Sequence, residues 1–320
     1  MRFERCDEAA GIPARFELAG AGDAAATVVP SAGMNLVSLA FRDHELLRLP
    51  IPLSEFMAKP KTGGVPLLHP WANRLRGDRY GFGGTEVDLR EHRGLKRDGE
   101  GLPMHGLLLR FDDWATARSE AGSEAWVEGV LEWGDHPELM KAFPFPHRLR
   151  IRWTIRSSSA GLEADCLHSV EARDGPVPLA SGWHPYLAPG GSRDTLRLET
   201  SKMRAVPLDP LGLPRRNAAG GLRLGEEVDP SGSLLGRTFD DLFQPPDGGW
   251  SATVVGAGEA RIELIADRHW RWMQVYAPEG SDFACIEPML APTAGLSDGE
   301  VTVVPAGGVL DASFTIRFRT

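Results

Sequence analysis

The sequence predicts an all-β protein, a sandwich or barrel of short antiparallel strands. Three observations point there. Apolar residues recur with a period of two wherever a period is clear. Glycine and proline, 37 and 25 of the 320 residues, punctuate the chain between these runs. Helical patterning is confined to a short stretch near Pro137–Ala142, enough for a turn or two. Many short strands with turn residues between them, and no helices alternating with them, fit a sandwich better than a βαβ fold.

Two segments carry the strand signal most clearly. Leu149, Ile151, Trp153 and Ile155 alternate with Arg148, Arg150, Arg152, Thr154 and Arg156. Near the C-terminus Phe314, Ile316 and Phe318 alternate with Ser313, Thr315, Arg317 and Arg319. Both read as antiparallel strands with one face in the core and one in water. Less regular strands are expected at 14–18, 24–29, 35–41, 126–133, 162–171, 195–200, 252–256, 261–266, 271–277, 283–287 and 301–304. The stretch 207–236 is rich in Gly, Pro and Leu without a period, and reads as a long loop over the sheets. No repeat or linker divides the chain, so residues 1–320 are expected to form one domain around a large two-sheet core.

Composition narrows the function. A net charge of −9 argues against a general affinity for nucleic acid or an anionic membrane. Cys6, Cys166 and Cys285 are too few and too scattered for a disulfide framework, which favours a reducing compartment. The opening Met-Arg-Phe-Glu-Arg-Cys-Asp-Glu lacks a signal peptide's apolar run, and no stretch approaches the ~20 apolar residues of a membrane span. The expectation is a soluble cytoplasmic protein, monomeric or paired as a homodimer through an edge strand.

His184 and Glu287 each stand immediately before a proline. A residue in that position is pushed into extended backbone, so an imidazole and a carboxylate are both held on stiff chain, as general acid–base work requires. On the expected strand at 271–277, Trp272, Gln274 and Tyr276 share one face. An amide between aromatic rings suits a sugar, which offers hydroxyls and flat C–H surfaces. Phe283, Cys285 and Glu287 likewise share a face. No His-Glu-x-x-His, Cys-x-x-Cys, EF-hand, Walker loop or Gly-x-Ser-x-Gly occurs, so neither a metal, a nucleotide cofactor nor a serine nucleophile is expected.

Pro70-Trp-Ala-Asn-Arg74, Gly77-Asp-Arg-Tyr-Gly-Phe82, His105-Gly106, Trp183-His-Pro-Tyr186, Phe239-Asp-Asp-Leu-Phe243, Gln274-Val-Tyr276 and Cys285-Ile-Glu-Pro288 follow one another in the chain. In this order they resemble the aldose 1-epimerase (galactose mutarotase) family from about residue 64 to about residue 296. The resemblance implies a large antiparallel β-sandwich of the galactose mutarotase type with few short helices. It also implies cofactor-independent, metal-free interconversion of the α and β anomers of a monosaccharide. It makes His184 the acid and Glu287 the base. It assigns Arg74, His105 and Asp240 to the sugar, with Asp241 the alternative if the register shifts by one; read alone, Asp240-Asp241 is a turn.

The chemistry suits these residue types. Opening a hemiacetal ring removes a proton from the anomeric hydroxyl and adds one to the ring oxygen. A carboxylate and an imidazole are the side chains that exchange protons near neutrality. Arg74 and His105 can steady the negative charge that grows on oxygen. Arg74, Arg76, Arg79, Arg90, Arg93, Lys96 and Arg97 crowd one stretch, which keeps a hexose-6-phosphate 1-epimerase in view, although Asp78, Glu86, Asp88 and Glu91 are interleaved. A non-catalytic sugar-binding or sensor protein with the same cleft is a further alternative, and a lyase or hydrolase on a related sandwich a third. His69, beside the Pro70–Arg74 string, is the histidine outside the site to watch. The charged loop 82–105 and the apolar Met289-Leu-Ala-Pro292 are expected to border the cleft.

Overall fold

The computed structural model describes residues 2–6, 15–19, 24–42, 44–59, 61–121 and 124–319. Two large sheets dominate. The nine-stranded one runs in the spatial order Gly232–Ser233, Arg197–Thr200, Trp250–Val255, Arg261–Ala266, Val309–Arg319, Gly161–Ala172, His147–Ser158, Glu124–Glu132 and Ala115–Ala121. The eight-stranded one runs Glu227–Val228, Met203–Val206, Phe239–Gln244, Trp272–Ala277, Ala284–Met289, Gly182–Trp183 and Leu67–Leu68, with Tyr186–Leu187 also paired to Ala284–Met289. A five-stranded sheet, Arg2–Cys6 to His44–Glu45, precedes them in the chain. The helices among the described residues are short: Leu53–Ala58, Pro137–Ala142 and Gly295–Asp298 carry the α-helix.

The period-two strands do what their pattern requires. Along His147–Ser158 each odd-numbered residue is buried and each even one at least partly exposed. The outward arginines meet glutamates in register: Arg148 lies opposite Glu132, Arg152 opposite Glu128 and Arg156 opposite Glu124. Each is ion-paired with that partner. Such exposed cross-strand pairs are worth roughly 0.2–1 kcal/mol apiece and chiefly fix the register.

The inward rings join the two large sheets. Trp153 of one packs on Trp183 of the other with centroids 5.5 Å apart, and Phe314 lies 5.7 Å from Trp183. Trp153 Nε1 donates to the Met34 carbonyl at 2.9 Å, tying in the chain just before Asn35–Phe41 of the five-stranded sheet. The core cluster extends from Ala24 to Phe318.

Several elements differ from expectation. Asp240 and Asp241 lie inside the Phe239–Gln244 strand rather than in a turn. Ala115–Ala121 is a strand, yet all seven residues are exposed at the sheet's edge, so no apolar period marks it. The 207–236 segment is mostly irregular as expected, but contributes two-residue strands to both large sheets. Met289-Leu-Ala-Pro292 is buried, with Leu290 and Ala291 in the main core, and against expectation none of the four lines the site cavity. Cys166 and Cys285 are buried free thiols, while Cys6 lies outside the side chains described. No helix among the described residues is long and apolar enough to cross a membrane.

Candidate active site

The outer face of the eight-stranded sheet carries the site. Antiparallel register sets its rows: Gln274 lies opposite Glu287 on one side and Leu242 on the other. Tyr276 lies opposite Asp240 and Cys285, and Cys285 opposite Tyr186. Residues directly opposite each other share a face, so Asp240, Gln274, Tyr276, Glu287 and Tyr186 project to the same side. Trp272 shares that face, as its spacing requires, but packs with Leu68, Leu242 and Met289 in an apolar patch. Gln274 is therefore flanked by one ring that lines the cavity, Tyr276, and one that does not, Trp272.

Three loops roof this face. The 69–75 segment is pinned by Ala72 N to the Ala180 carbonyl at 2.7 Å and Ala180 N to the Pro70 carbonyl at 3.0 Å. The 104–107 turn is held by His105 N to the Asn73 carbonyl at 2.9 Å and Leu107 N to the His69 carbonyl at 2.8 Å. His184 N donates to the Pro66 carbonyl at 3.1 Å. Asn73 and His105 have φ of 53° and 65°, left-handed values that cost a non-glycine residue energy and gather at functional sites.

Gly106 follows with φ 69°, and a Cβ there would sit 2.2 Å from the His69 carbonyl oxygen. Gly106→Ala is therefore expected to cost about 2 kcal/mol or more, from the disfavoured φ and the forced retreat of the 69–75 segment. Urea unfolding checks this, and an unchanged midpoint would contradict it.

A cavity of about 180 Å³ opens between loops and sheet, lined by His105, His184, Glu287, Arg74, Asp240 and Tyr276 together with Thr62, Asn73, Met104 and Tyr186. It is smaller than the ~300–1,000 Å³ of drug-sized clefts, a scale that suits one small polar ring. A cavity of about 500 Å³ at the far end of the nine-stranded sheet is roomier, but no imidazole lines it. Its Arg156 and Arg317 are ion-paired with Glu124 and Glu163. Chemistry rather than volume selects the smaller one.

His184 Nε2 lies 3.2 Å from Glu287 Oε1, and the two side chains are 7% and 1% exposed. The His184 ring is stacked on Tyr186 at 4.6 Å and 10°, with the edge of His105 5.5 Å away. Burial lowers the His184 imidazole to about 3. Burial, assisted by the nearby Asp240 charge and opposed by Arg74, raises the Glu287 carboxyl well above the carboxylate range. Burial also holds His105 well below the usual imidazole value, with the neighbouring His184, Lys96 and Arg74 adding to it. Desolvation dominates all three shifts, disfavouring the imidazolium at His184 and His105 and the carboxylate at Glu287.

Arg74 is held from three sides. Nε donates to Asp98 Oδ2 at 2.8 Å, Nη1 to Asn73 Oδ1 at 3.0 Å, and Nη2 lies 3.8 Å from Asp240 Oδ2. Gln274 Nε2 donates to Asp240 Oδ1 at 2.8 Å. Three residues of the cavity wall carry buried polar atoms with no protein partner, Glu287 Oε2, His184 Nδ1 and His105 Nδ1, and Gln274 Oε1 behind Asp240 is a fourth. Trp71 Nε1, Trp183 Nε1 and both His168 nitrogens are unpartnered elsewhere in the core, but the three atoms gathered on this one cavity read as hydrogen-bonding capacity for a ligand.

All six residues singled out from the sequence, His184, Glu287, Arg74, His105, Asp240 and Gln274, converge here; the first five line the cavity and Gln274 reaches it through Asp240. Asp240 rather than Asp241 lines the inner cavity. Thr62, whose hydroxyl is 2.7 Å from Tyr186 Oη, and Asp98, the brace of Arg74, carried no sequence signal. Asn73 belongs to the Pro70–Arg74 string, where the sequence marks Arg74 rather than its neighbour. Among the described residues no group of three His, Cys, Asp or Glu side chains is placed to hold a metal ion.

No curated protein sequence matches this one. Solved structures match its fold along its length. A galactose mutarotase-like protein of Clostridium acetobutylicum superposes with a TM-score of 0.76 at 18% identity, covering 100% of this chain and 98% of that one. Galactose 1-epimerase of Lactobacillus acidophilus gives 0.72 at 15%, covering 99% and 98%. A putative aldose 1-epimerase of Escherichia coli K12 gives 0.69 at 17%, covering 95% and 98%. At such identities these are likenesses of fold. The aldose 1-epimerase family model matches residues 18–314. By that match, over nearly its whole length, the chain belongs to the aldose 1-epimerase family.

Proposed function

We propose that the protein is an isomerase that interconverts the α and β anomers of a neutral aldose by acid–base ring opening, without a cofactor. The observation that carries this is the buried His184–Glu287 pair, Nε2 to Oε1 3.2 Å apart at the wall of a ring-sized polar cavity. In a cyclic hemiacetal, the hydroxyl that loses a proton and the ring oxygen that gains one are bonded to the same carbon. Their acid and base must therefore sit side by side.

Glu287 takes the proton from the anomeric hydroxyl while His184 gives one to the ring oxygen. The C1–O5 bond breaks as the C1–O1 double bond forms. Rotation about C1–C2 turns the other face of the aldehyde to O5. Closure then returns each proton along the path it came by, leaving the pair as it started. One proton shared by the pair suffices, and the arrangement that burial favours, neutral imidazole with protonated carboxyl, is one transfer from the reactive form. Arg74 and His105 donate toward the oxygens that become charged, and Asp240 with Gln274 accepts and donates to ring hydroxyls.

The arginine cluster favours a neutral sugar over a phosphorylated one. Arg74 is bonded to Asp98, Arg76 to Asp298, Arg79 and Arg90 to Asp88, and Arg97 to Asp78. An adjoining cavity that shares Arg74 and Asp240 with the inner one is also lined by Glu100, Asp209 and Asp241. Such a rim repels phosphate. The phosphosugar reading keeps one observation in its favour: Lys96 is half-buried and bonded to no carboxylate among the described residues. Exchange NMR with galactose, glucose and glucose 6-phosphate separates the readings, and a preference for the phosphate would overturn the neutral one. Normal sugar binding with anomer exchange no faster than in buffer would make the protein a binder.

The shared proton also sets a pH profile. Activity fails when both groups are protonated and again when neither is. Because burial takes His184 to about 3 and raises Glu287, kcat/KM is expected to stay level as pH falls through 6.5, to drop on the acid side only toward pH 3, and to drop on the alkaline side as the Glu287 proton is lost. An acid limb centred between pH 6 and 7 would show that His184 titrates as an exposed imidazole.

A further inference from the structure

His69, His147 and Ser181 lie outside the cavity, and the reaction makes no direct use of them. They are 0%, 1% and 0% exposed. His147 Nδ1 is 2.7 Å from the Phe145 carbonyl, His147 Nε2 is 3.0 Å from His69 Nε2, and His69 Nδ1 is 2.9 Å from Ser181 Oγ. These contacts admit one arrangement of protons for neutral rings. A carbonyl only accepts, so His147 carries its proton on Nδ1 and its Nε2 accepts. His69 then carries its proton on Nε2 and accepts at Nδ1 from the Ser181 hydroxyl. Burial keeps both imidazoles uncharged, well below the ordinary value for His69 and down to about 4 for His147. Trp133 stacks on His147 at 4.8 Å and meets His69 edge-on at 5.2 Å, which limits the freedom of both rings.

The chain ends on the segments that hold the site. Ser181 is three residues before His184, and its carbonyl accepts from Leu290 N, three residues after Glu287, at 2.8 Å. The His69 carbonyl accepts from Leu107 N beside His105, and His69 opens the run to Asn73 and Arg74. We propose that Phe145 O–His147–His69–Ser181 is a positioning relay, with Ser181 and His69 as positioning residues that set the placement of His184 against Glu287 and of the 69–74 and 105–107 loops over them. It deepens the acid–base reading and rests on it.

Two measurements test the relay. In the long-range ¹H–¹⁵N spectrum of the wild-type protein at neutral pH, His69 is expected as the Nε2–H tautomer and His147 as the Nδ1–H tautomer, assigned with His69→Gln and His147→Gln. The same tautomer at both, or a charged ring at either, overturns the relay. Ser181→Ala, a one-oxygen deletion, is expected to lower kcat about tenfold or more with KM within about twofold, since a misplacement of ~1 Å can cost ~10² in rate. Ser181→Cys, which keeps a weak donor, is expected to recover part of that loss. An unchanged kcat, or a loss matched by loss of folded protein alone, overturns the proposal. Absence of anomer exchange in the wild type would instead sink the acid–base reading, while the tautomers would still report on the relay.

Discussion

Glu287→Gln is expected to lower kcat for anomer interconversion by about 10²–10⁴, the range for loss of one positioned proton transfer, or about 3–5 kcal/mol of barrier. Sugar affinity should change only a few-fold, because glutamine keeps the shape and an acceptor oxygen at a residue 1% exposed. Fold stability should not fall. The Glu287 carboxyl is raised above its ordinary value by burial, so the unfolded chain releases a proton that the folded one retains. Stability is therefore lost as pH rises from the unfolded value toward the folded one, and an uncharged amide escapes that loss. A single-turnover or exchange-NMR rate, a sugar titration and a thermal melt on one preparation check all three. Near wild-type kcat would remove Glu287 from the chemistry, whatever the geometry.

His184→Gln is the second large effect, again about 10²–10⁴ in kcat. Here affinity should also weaken, since the ring stacked on Tyr186 at 4.6 Å forms part of the cavity wall. The double variant carries the sharper content. In the proposed mechanism one proton circulates through both residues, so removing the second after the first should cost little more, as happens when groups act as a unit. Multiplicative losses would mean that the two work independently, on different atoms or in different steps.

How much of this was legible in the sequence follows from which faces are wet. Strands with one solvent face, such as His147–Ser158 and Val309–Arg319, keep the period of two and could be read directly. The site strands could not. Ala284–Met289 is buried at every position and Trp272–Ala277 at all but Tyr276, because the roofing loops cover their second face and erase the alternation. What survived there was local: a proline after His184 and after Glu287, and the odd–even placing of Gln274 and Tyr276. Asp240-Asp241 looked like a turn because acidic pairs favour turns, whereas strand pairing with Tyr276 and Val275 overrides that preference.

Contacts across long sequence separations were out of reach. The Asp98 brace on Arg74, Thr62 against Tyr186, and the His147–His69–Ser181 chain, whose two contacts join residues 78 and 112 apart, depend on loop placement rather than on any periodic signal. The arginine-rich stretch left a phosphate site open, because its sequence shows the charges but not how they pair. Most of its carboxylate partners, Asp78, Asp88 and Asp98, lie in the same stretch, while Arg76 finds Asp298 from far along the chain.

The most direct test of the central claim is two-dimensional exchange NMR on a free aldohexose in D₂O with catalytic amounts of the protein. The account predicts α–β cross-peaks that grow in proportion to enzyme, an unchanged anomer ratio, and full retention of the C1 and C2 protons, since ring opening touches only oxygen-bound hydrogen. Exchange no faster than in buffer, or deuterium appearing at C2, would contradict it.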